Sequence, residues 1–211
     1  MSLHWKLLFG LWPCVAVGIG LWRWDSAFAA ILLYHAGIAV GVGCDTKVLG
    51  LIKRGFRWFP AIGGIVIGIL TIPVVLLCLP ILVGMESPEL GEVLSSKLAE
   101  TGLSGSWFWL FLAYFVTIHP ILEELGWRAI LQSDSAKPHG LDLEFAIYHL
   151  LVLGYFFPKA WPLLVVTFLV LSGSAWLWRQ MRRSMGGLAS VILFHAAADA
   201  GILIAVWMLV R

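Results

Sequence analysis

The sequence predicts an all-α fold, a polytopic membrane bundle of about seven transmembrane helices with the N-terminus inside and the C-terminus outside. Three observations carry this. Of the residues, 61% are hydrophobic and only 12% charged, against roughly 45–50% and about 25% in soluble domains. Mean hydropathy is +0.94. Apolar runs follow one another with brief loops between them. This composition excludes a soluble enzyme, a disordered chain and a nucleic-acid binder. Fourteen basic residues balance twelve acidic ones, so there is no footprint for a polyanion. At about 20 apolar residues per span, the spans use up the 211 residues as a single integral-membrane domain, 1–211.

The segments follow in order. The first is expected over about Leu7 to Trp22, the second over about Ala27 to Val42. The third, about Ala61 to Val83, holds Pro73 and Pro80 and should kink. The fourth spans about Ser106 to Leu131, the fifth Leu143 to Phe157, the sixth Trp161 to Trp178 and the seventh Gly187 to Val210. Met85 to Gly105 reads as an outer loop carrying Glu86, Glu89, Glu92 and Glu100. The first run lacks a small-residue cleavage site and reads as a retained helix. Cys14, Cys44 and Cys78 read as free, buried thiols.

Lys and Arg set the orientation. Lys6, Lys47, Lys53, Arg54, Arg57, Lys137, Arg179, Arg182 and Arg183 fall on one side; Arg23, Lys97, Lys159 and Arg211 fall on the other. The richer side is cytoplasmic. The Arg179, Arg182, Arg183 cluster is read as a topological anchor. Trp22, Trp24, Trp107, Trp109 and Trp161 mark the outer boundary; Trp58, Trp176 and Trp178 mark the inner one.

Ionisable residues inside apolar helices carry the functional information, because a charge at the bilayer centre costs at least about 2.5–3.5 kcal/mol. Segment four reads His119-Pro120-Ile121-Leu122-Glu123-Glu124-Leu125-Gly126-Trp127-Arg128. Glu124 and Arg128 share a face at i, i+4 and can pair. Glu123 points about 100° away and has no cation of its own. His149 follows in segment five, and His195 with Asp199 at i, i+4 in segment seven. At 1.5 Å per residue, Glu123 and His195 lie about 12 Å, and His149 roughly 9 Å, from the inner helix ends. Three helices thus bring polar groups to one level, around a cavity expected to open toward the cytoplasm. A carboxylate with an imidazole can activate water, and a second imidazole with a polar neighbour can stabilise an oxyanion. No serine or cysteine stands beside a histidine as a nucleophile. Hydrolysis by activated water is the reaction class that fits.

Glu123-Glu124-x-x-x-Arg128, Phe145-x-x-x-His149 and His195-x-x-x-Asp199 resemble, in order, the motifs of the CPBP intramembrane proteases. These are relatives of the CAAX prenyl endopeptidase, also called the abortive-infection family. The likeness lies within residues 106–210. It implies a glutamate-dependent protease, with no cofactor, acting on a membrane-anchored protein or peptide in the bilayer, in a prokaryotic plasma membrane. Carried over, Glu123 and His149 activate the water, His195 and Asp199 form the oxyanion side, and Glu124 and Arg128 brace the site. Trp127 and Ala129 depart from the family's usual Phe or Tyr and Gly, and Asp199 stands where Asn is common. His119 could reach Glu123 at i, i+4; His35 stands alone in its helix; Tyr114 and Tyr148 read as packing aromatics. Three other functions compete: a zinc enzyme on Glu123, His149 and His195, a non-proteolytic immunity or scaffolding protein, and an ion transporter.

Overall fold

The computed structural model describes residues 3–131 and 133–211. Among them there is no strand. The elements are α1 (Leu3–Val17), running on as a π-helical turn (Gly18–Arg23), α2 (Ala27–Cys44), a 3-10 segment (Thr46–Leu51), α3 (Trp58–Val83), α4 (Ser87–Glu100), α5 (Ser106–Thr117), α6 (His119–Glu124) continuing as a π-helical turn (Leu125–Ile130), α7 (Gly140–Phe156), α8 (Trp161–Met185) and α9 (Ala189–Leu209). Among the described residues, five helical stretches are long and apolar enough to cross a membrane: α2, α3, Ser106–Ile130, α8 and α9. The first apolar stretch, Leu8–Arg23, and the 17-residue α7 are shorter. The chain is a polytopic helical membrane protein, and its seven apolar rods match the expected segments to within a few residues, except that α8 runs seven residues past the expected end at Trp178 to Met185.

Local chemistry explains the ends. The Ser26 hydroxyl accepts from the Ala29 amide at 3.2 Å and starts α2. Asp142 accepts from the His139 amide at 2.8 Å and starts α7. Gly84, at φ 74, closes α3 where a side chain would be strained. That helix runs unbroken through Pro73 and Pro80, so no interruption marks the expected kinks. The fourth segment is interrupted instead. Pro120 lacks the amide that would continue α5, and the chain restarts as α6.

The segment read as an outer loop contains α4. Pro88 sits in its first turn, and Leu90, Leu94 and Leu98 are buried at i, i+4, i+8 while its glutamates face out. It is an amphipathic helix whose leucine stripe packs into the hydrophobic core. The cysteines are free, as expected, but Cys44 and Cys78 are exposed on the outer surface of the bundle rather than buried.

α3 and α9 form the closest helix pair. A Cβ on Gly64 would meet the Phe194 backbone, one on Gly68 the Ala197 carbonyl, and one on Gly201 the Gly68 carbonyl. Small residues let backbones approach where lipid supplies no hydrophobic drive. The basic end of the bundle is tied by backbone: Leu188 donates to the Leu51 carbonyl and Ala189 to that of Arg54, both at 2.9 Å. Arg179 is not merely an anchor. It is buried, donates through Nε to Asp142 Oδ1 at 2.9 Å, and also binds the Ser135 and Lys137 carbonyls. It locks α8 to α7 and to the loop between segments four and five.

Gly201→Ala is therefore expected to destabilise the protein by about 1–3 kcal/mol through overpacking against α3. Thermal unfolding in detergent reads this; an unchanged midpoint would show that α3 and α9 do not touch there.

Candidate active site

Glu123 and Glu124 are both completely buried, on successive positions of α6. Their roughly 100° separation sends them to different partners. Glu123 Oε1 accepts from the Tyr34 hydroxyl of α2 at 2.8 Å and from the Tyr148 hydroxyl of α7. Trp127 Nε1 donates to the Tyr34 oxygen at 2.7 Å and fixes that hydroxyl. With Oε1 doubly engaged, Oε2 is the free acceptor. His195 Nε2 lies 3.4 Å from it and His119 Nε2 3.5 Å.

Glu124 faces the other way. Its Oε1 is 2.9 Å from His195 Nδ1 and its Oε2 is 3.3 Å from Arg128 Nε. Arg128 is buried with its guanidinium 4.4 Å from the Phe145 ring centroid and 5.2 Å from that of Trp178. Aromatic faces thus supply much of its environment. Trp178 also stacks on His195 at 4.2 Å. Placed by the sequence at the inner belt, Trp178 instead forms the floor of the site.

His195 is thus oriented by Glu124 through Nδ1 and presents Nε2 to Glu123 and, at 3.5 Å, to Asp199 Oδ2. Glu123 Oε2 and Asp199 Oδ2 are both buried without a hydrogen-bond partner among the described residues. His149 sits apart from the carboxylates, with no ion-pair contact to Glu123 among the described residues. Its Nδ1 lies 2.8 Å from the Phe145 carbonyl. A carbonyl only accepts, so Nδ1 carries the proton and a neutral His149 has its lone pair on Nε2.

The structure brings in residues that the sequence left aside. His35, alone in its helix by sequence, contacts Tyr114 Oη through Nδ1 at 2.7 Å and His119 Nδ1 through Nε2 at 3.1 Å. A hydrogen-bonded chain Tyr114–His35–His119 results, with the His119 ring 3.5 Å from Glu123 Oε2 at its end. Tyr34 and Tyr148 were missed as ligands of Glu123, Tyr148 having been read as packing. A tyrosine four residues or one turn from other apolar positions carries no sequence signal that separates the two roles; only convergence in space does. His119, His195 and Asp199 place one ligand atom each within 4.8 Å of one another, a set that could hold a metal ion. This differs from the Glu123, His149, His195 trio suggested by sequence.

A cavity of about 390 Å³ reaches this cluster, with Tyr34, His119, Tyr148 and His149 among its walls. Its remaining lining is apolar apart from Thr167. It does not run toward the basic end, as the sequence suggested. Leu125, Leu131, Phe145, Trp178, Leu188 and Val191 are buried there and fill that end. The cavity extends instead toward α4, through Leu94, Leu98 and Leu103.

Fold and site together define a polytopic membrane protein with a buried glutamate–histidine centre at the foot of an apolar cavity. Residues 105–201 match the family model described as Type II CAAX prenyl endopeptidase Rce1-like, which supports the CPBP, CAAX-protease-like family read from the three motifs. The match covers α5 through most of α9, and therefore every motif residue. No curated protein and no solved structure matched the chain.

Arg128→Ala should cost about 3–5 kcal/mol of stability, because it leaves Glu124 as a buried charge without its cation. The measurement is thermal unfolding in detergent with expression level alongside. An unaltered midpoint would mean that the pair is solvated.

Proposed function

We propose that the protein is an intramembrane endopeptidase that hydrolyses a peptide bond of a membrane-anchored protein or peptide with an activated water. It rests on the CAAX-protease-like family at the level of the class. The observation that carries it is Glu123: fully buried, with one oxygen held by two tyrosines and the other free. A carboxylate so fixed presents one oxygen as a general base to a water. His149, protonated at Nδ1, offers Nε2 from the cavity wall to share that proton and pass it to the leaving amine. His195 and Asp199 form the oxyanion side. With His195 Nδ1–H given to Glu124, Nε2 can donate only when the ring is an imidazolium. The Glu124 carboxylate at Nδ1 suits that state, and Asp199 adds a second donor to the oxyanion from its protonated carboxyl. The multi-pass, compact chain fits a prokaryotic plasma membrane.

A metal-assisted hydrolase on His119, His195 and Asp199 is the second reading, favoured by the spacing of their ligand atoms. The two readings need opposite polarities of one hydrogen-bond chain. If His35 donates to His119, then His119 Nε2 carries a proton and points it at Glu123. If His119 donates to His35, its Nε2 lone pair is free for a metal.

Glu123→Gln should leave the protein folded and lower kcat by roughly 10²–10⁴-fold, the usual contribution of a general base. Normal turnover by the purified, folded variant would overturn the protease mechanism.

Chelators should leave activity intact. Loss with a chelator, reversed by added Zn²⁺, would move the assignment to the metal reading.

Asp199→Asn should keep substantial activity, because the amide donates a hydrogen bond without needing a proton. Asp199→Ala should lose at least about tenfold, near 1.4 kcal/mol of transition-state stabilisation. pH–rate profiles of wild type and both variants on one peptide decide it. An Asn variant as inactive as the Ala variant would assign Asp199 to holding His195 as an anion.

A further inference from the structure

We propose that Tyr114 and His35 are positioning residues for Glu123: they fix His119 in the tautomer whose proton is on Nε2, directed at the free carboxylate oxygen. This deepens the protease reading, on which it rests for what Glu123 does with that oxygen. The tautomer itself is a property of the resting protein and needs no reaction.

The support begins on α2. Tyr34 and His35 are successive residues, about 100° apart around the helix, and both are buried. Tyr34 reaches Glu123 Oε1 directly at 2.8 Å. His35 reaches toward the other oxygen through His119: its Nε2 lies 3.1 Å from His119 Nδ1, and His119 Nε2 lies 3.5 Å from Glu123 Oε2. One turn of one helix thus addresses both oxygens of the carboxylate. The His119 ring is held in its plane by Phe115, on which it stacks at a centroid distance of 4.1 Å. α2 lies outside residues 105–201, so this side of the carboxylate is served by a part of the chain that the motifs do not reach.

Hydrogen-bond accounting sets the direction. A neutral imidazole has one N–H and one lone pair, so two rings in line with a hydroxyl allow two arrangements. In the first, the Tyr114 hydroxyl donates to His35 Nδ1 at 2.7 Å, His35 Nε2–H donates to His119 Nδ1, and His119 Nε2–H faces Glu123. Each proton in the line then has an acceptor or an anion before it. In the second, His119 Nδ1–H donates to His35 Nε2, and His35 Nδ1–H donates to the Tyr114 oxygen. The Tyr114 hydroxyl proton is left with no acceptor among the described residues. Tyr114 lies about 12 Å along α5 from Ser106, at a depth where lipid supplies none. The His119 Nε2 lone pair would moreover point at a buried carboxylate. At 3.5 Å that contact is longer than a normal hydrogen bond, but its sign survives the distance, because an N–H dipole attracts the anion and a lone pair repels it.

The first arrangement leaves no group opposed; the second leaves two. So held, His119 supports the ionised carboxylate that a general base requires. It also has no lone pair on Nε2 to offer a metal.

The test reads the tautomer directly. The full chain, with isotopically labelled histidine nitrogens, is placed in lipid bilayers, where solid-state NMR distinguishes protonated from unprotonated ring nitrogens. Single histidine substitutions assign the signals. His35 and His119 should each carry the proton on Nε2, with Nδ1 bare. His35→Gln, whose amide can accept from Tyr114 and donate to His119, should leave the His119 signals in place. His35→Leu should split them between both tautomers, since only the long contact to Glu123 then remains; Tyr114→Phe should do so if the Leu variant folds poorly. A proton on His119 Nδ1 in the wild type, alone or together with one on Nε2, would overturn the proposal. So would a His119 tautomer indifferent to both His35→Leu and Tyr114→Phe. On a peptide that the wild type cleaves, His35→Leu should lower kcat about tenfold with KM little changed, and His35→Gln should recover most of the loss. Equal losses in the two variants would reduce His35 to packing and remove its positioning role. The expected tautomers in a protein that cleaves nothing would remove the protease reading and leave this one; cleavage by a protein with His119 protonated on Nδ1 would do the reverse.

Discussion

Two adjacent carboxylates are fully buried on one turn of helix, and much of the structure around them answers that constraint. A carboxylate in a low-dielectric interior demands partners for its oxygens. A single helix cannot supply them. Glu123 draws hydroxyls from α2 and α7, while Glu124 draws an imidazole from α9 and a guanidinium from one turn along its own helix. Four helices are thereby fixed to one point. The segment that bears the pair departs from regular helix on both sides of it, at Ile118 and in the π turn at Leu125–Ile130. Wider turns of this kind commonly accompany functional sites. Here the π turn lies between Glu124 and the end of the segment and still keeps Arg128 within 3.3 Å of Glu124.

The parts of this structure that depend on local pattern were readable in the sequence, and the parts that depend on convergence were not. Hydropathy located all seven apolar rods, because a lipid-spanning helix declares itself residue by residue. It passed over α4, whose low hydrophobicity hides a buried Leu90, Leu94, Leu98 stripe; the i, i+4 spacing and Pro88 were the available signals. The i, i+4 pairs Glu124–Arg128 and His195–Asp199 were visible because one helix carries both members. Tyr34, Tyr148 and His35 lie one to a helix among apolar residues, where a side chain that packs and one that donates look alike. Trp178 was misplaced for the same reason. An indole near a helix end reads as belt, and only the tertiary fold shows that it lies beneath His195 and beside Arg128.

The bundle is asymmetric about its reactive level, and residue size explains much of it. On the basic side Trp178, Phe145, Leu125 and Leu188 interdigitate, and a buried Asp142–Arg179 pair draws α7 and α8 together at 2.5 Å. On the other side Ala27 and Ala30 of α2 face a space that larger side chains would fill. Closing one end strengthens every electrostatic interaction at Glu123, since field lines then run through protein rather than water.

The line Tyr114–His35–His119–Glu123 also bears on how the chemistry is completed. A hydrolytic cycle takes a proton from water and must return it. A chain of hydroxyl and imidazoles carries a proton by reversing its donors in concert, and each reversal changes what His119 offers to Glu123. In one polarity His119 supports the carboxylate as a donor; in the other it exposes a lone pair beside His195 and Asp199. Because Tyr114 is only partly buried, the far end of the chain lies nearer the surface than Glu123 does. The water-activating and metal-binding readings are consequently two protonic states of the same side chains. What separates them is the direction of two hydrogen bonds, His35 to Tyr114 and His35 to His119, together with the proton on His195 Nε2, which the oxyanion role needs and a metal would displace.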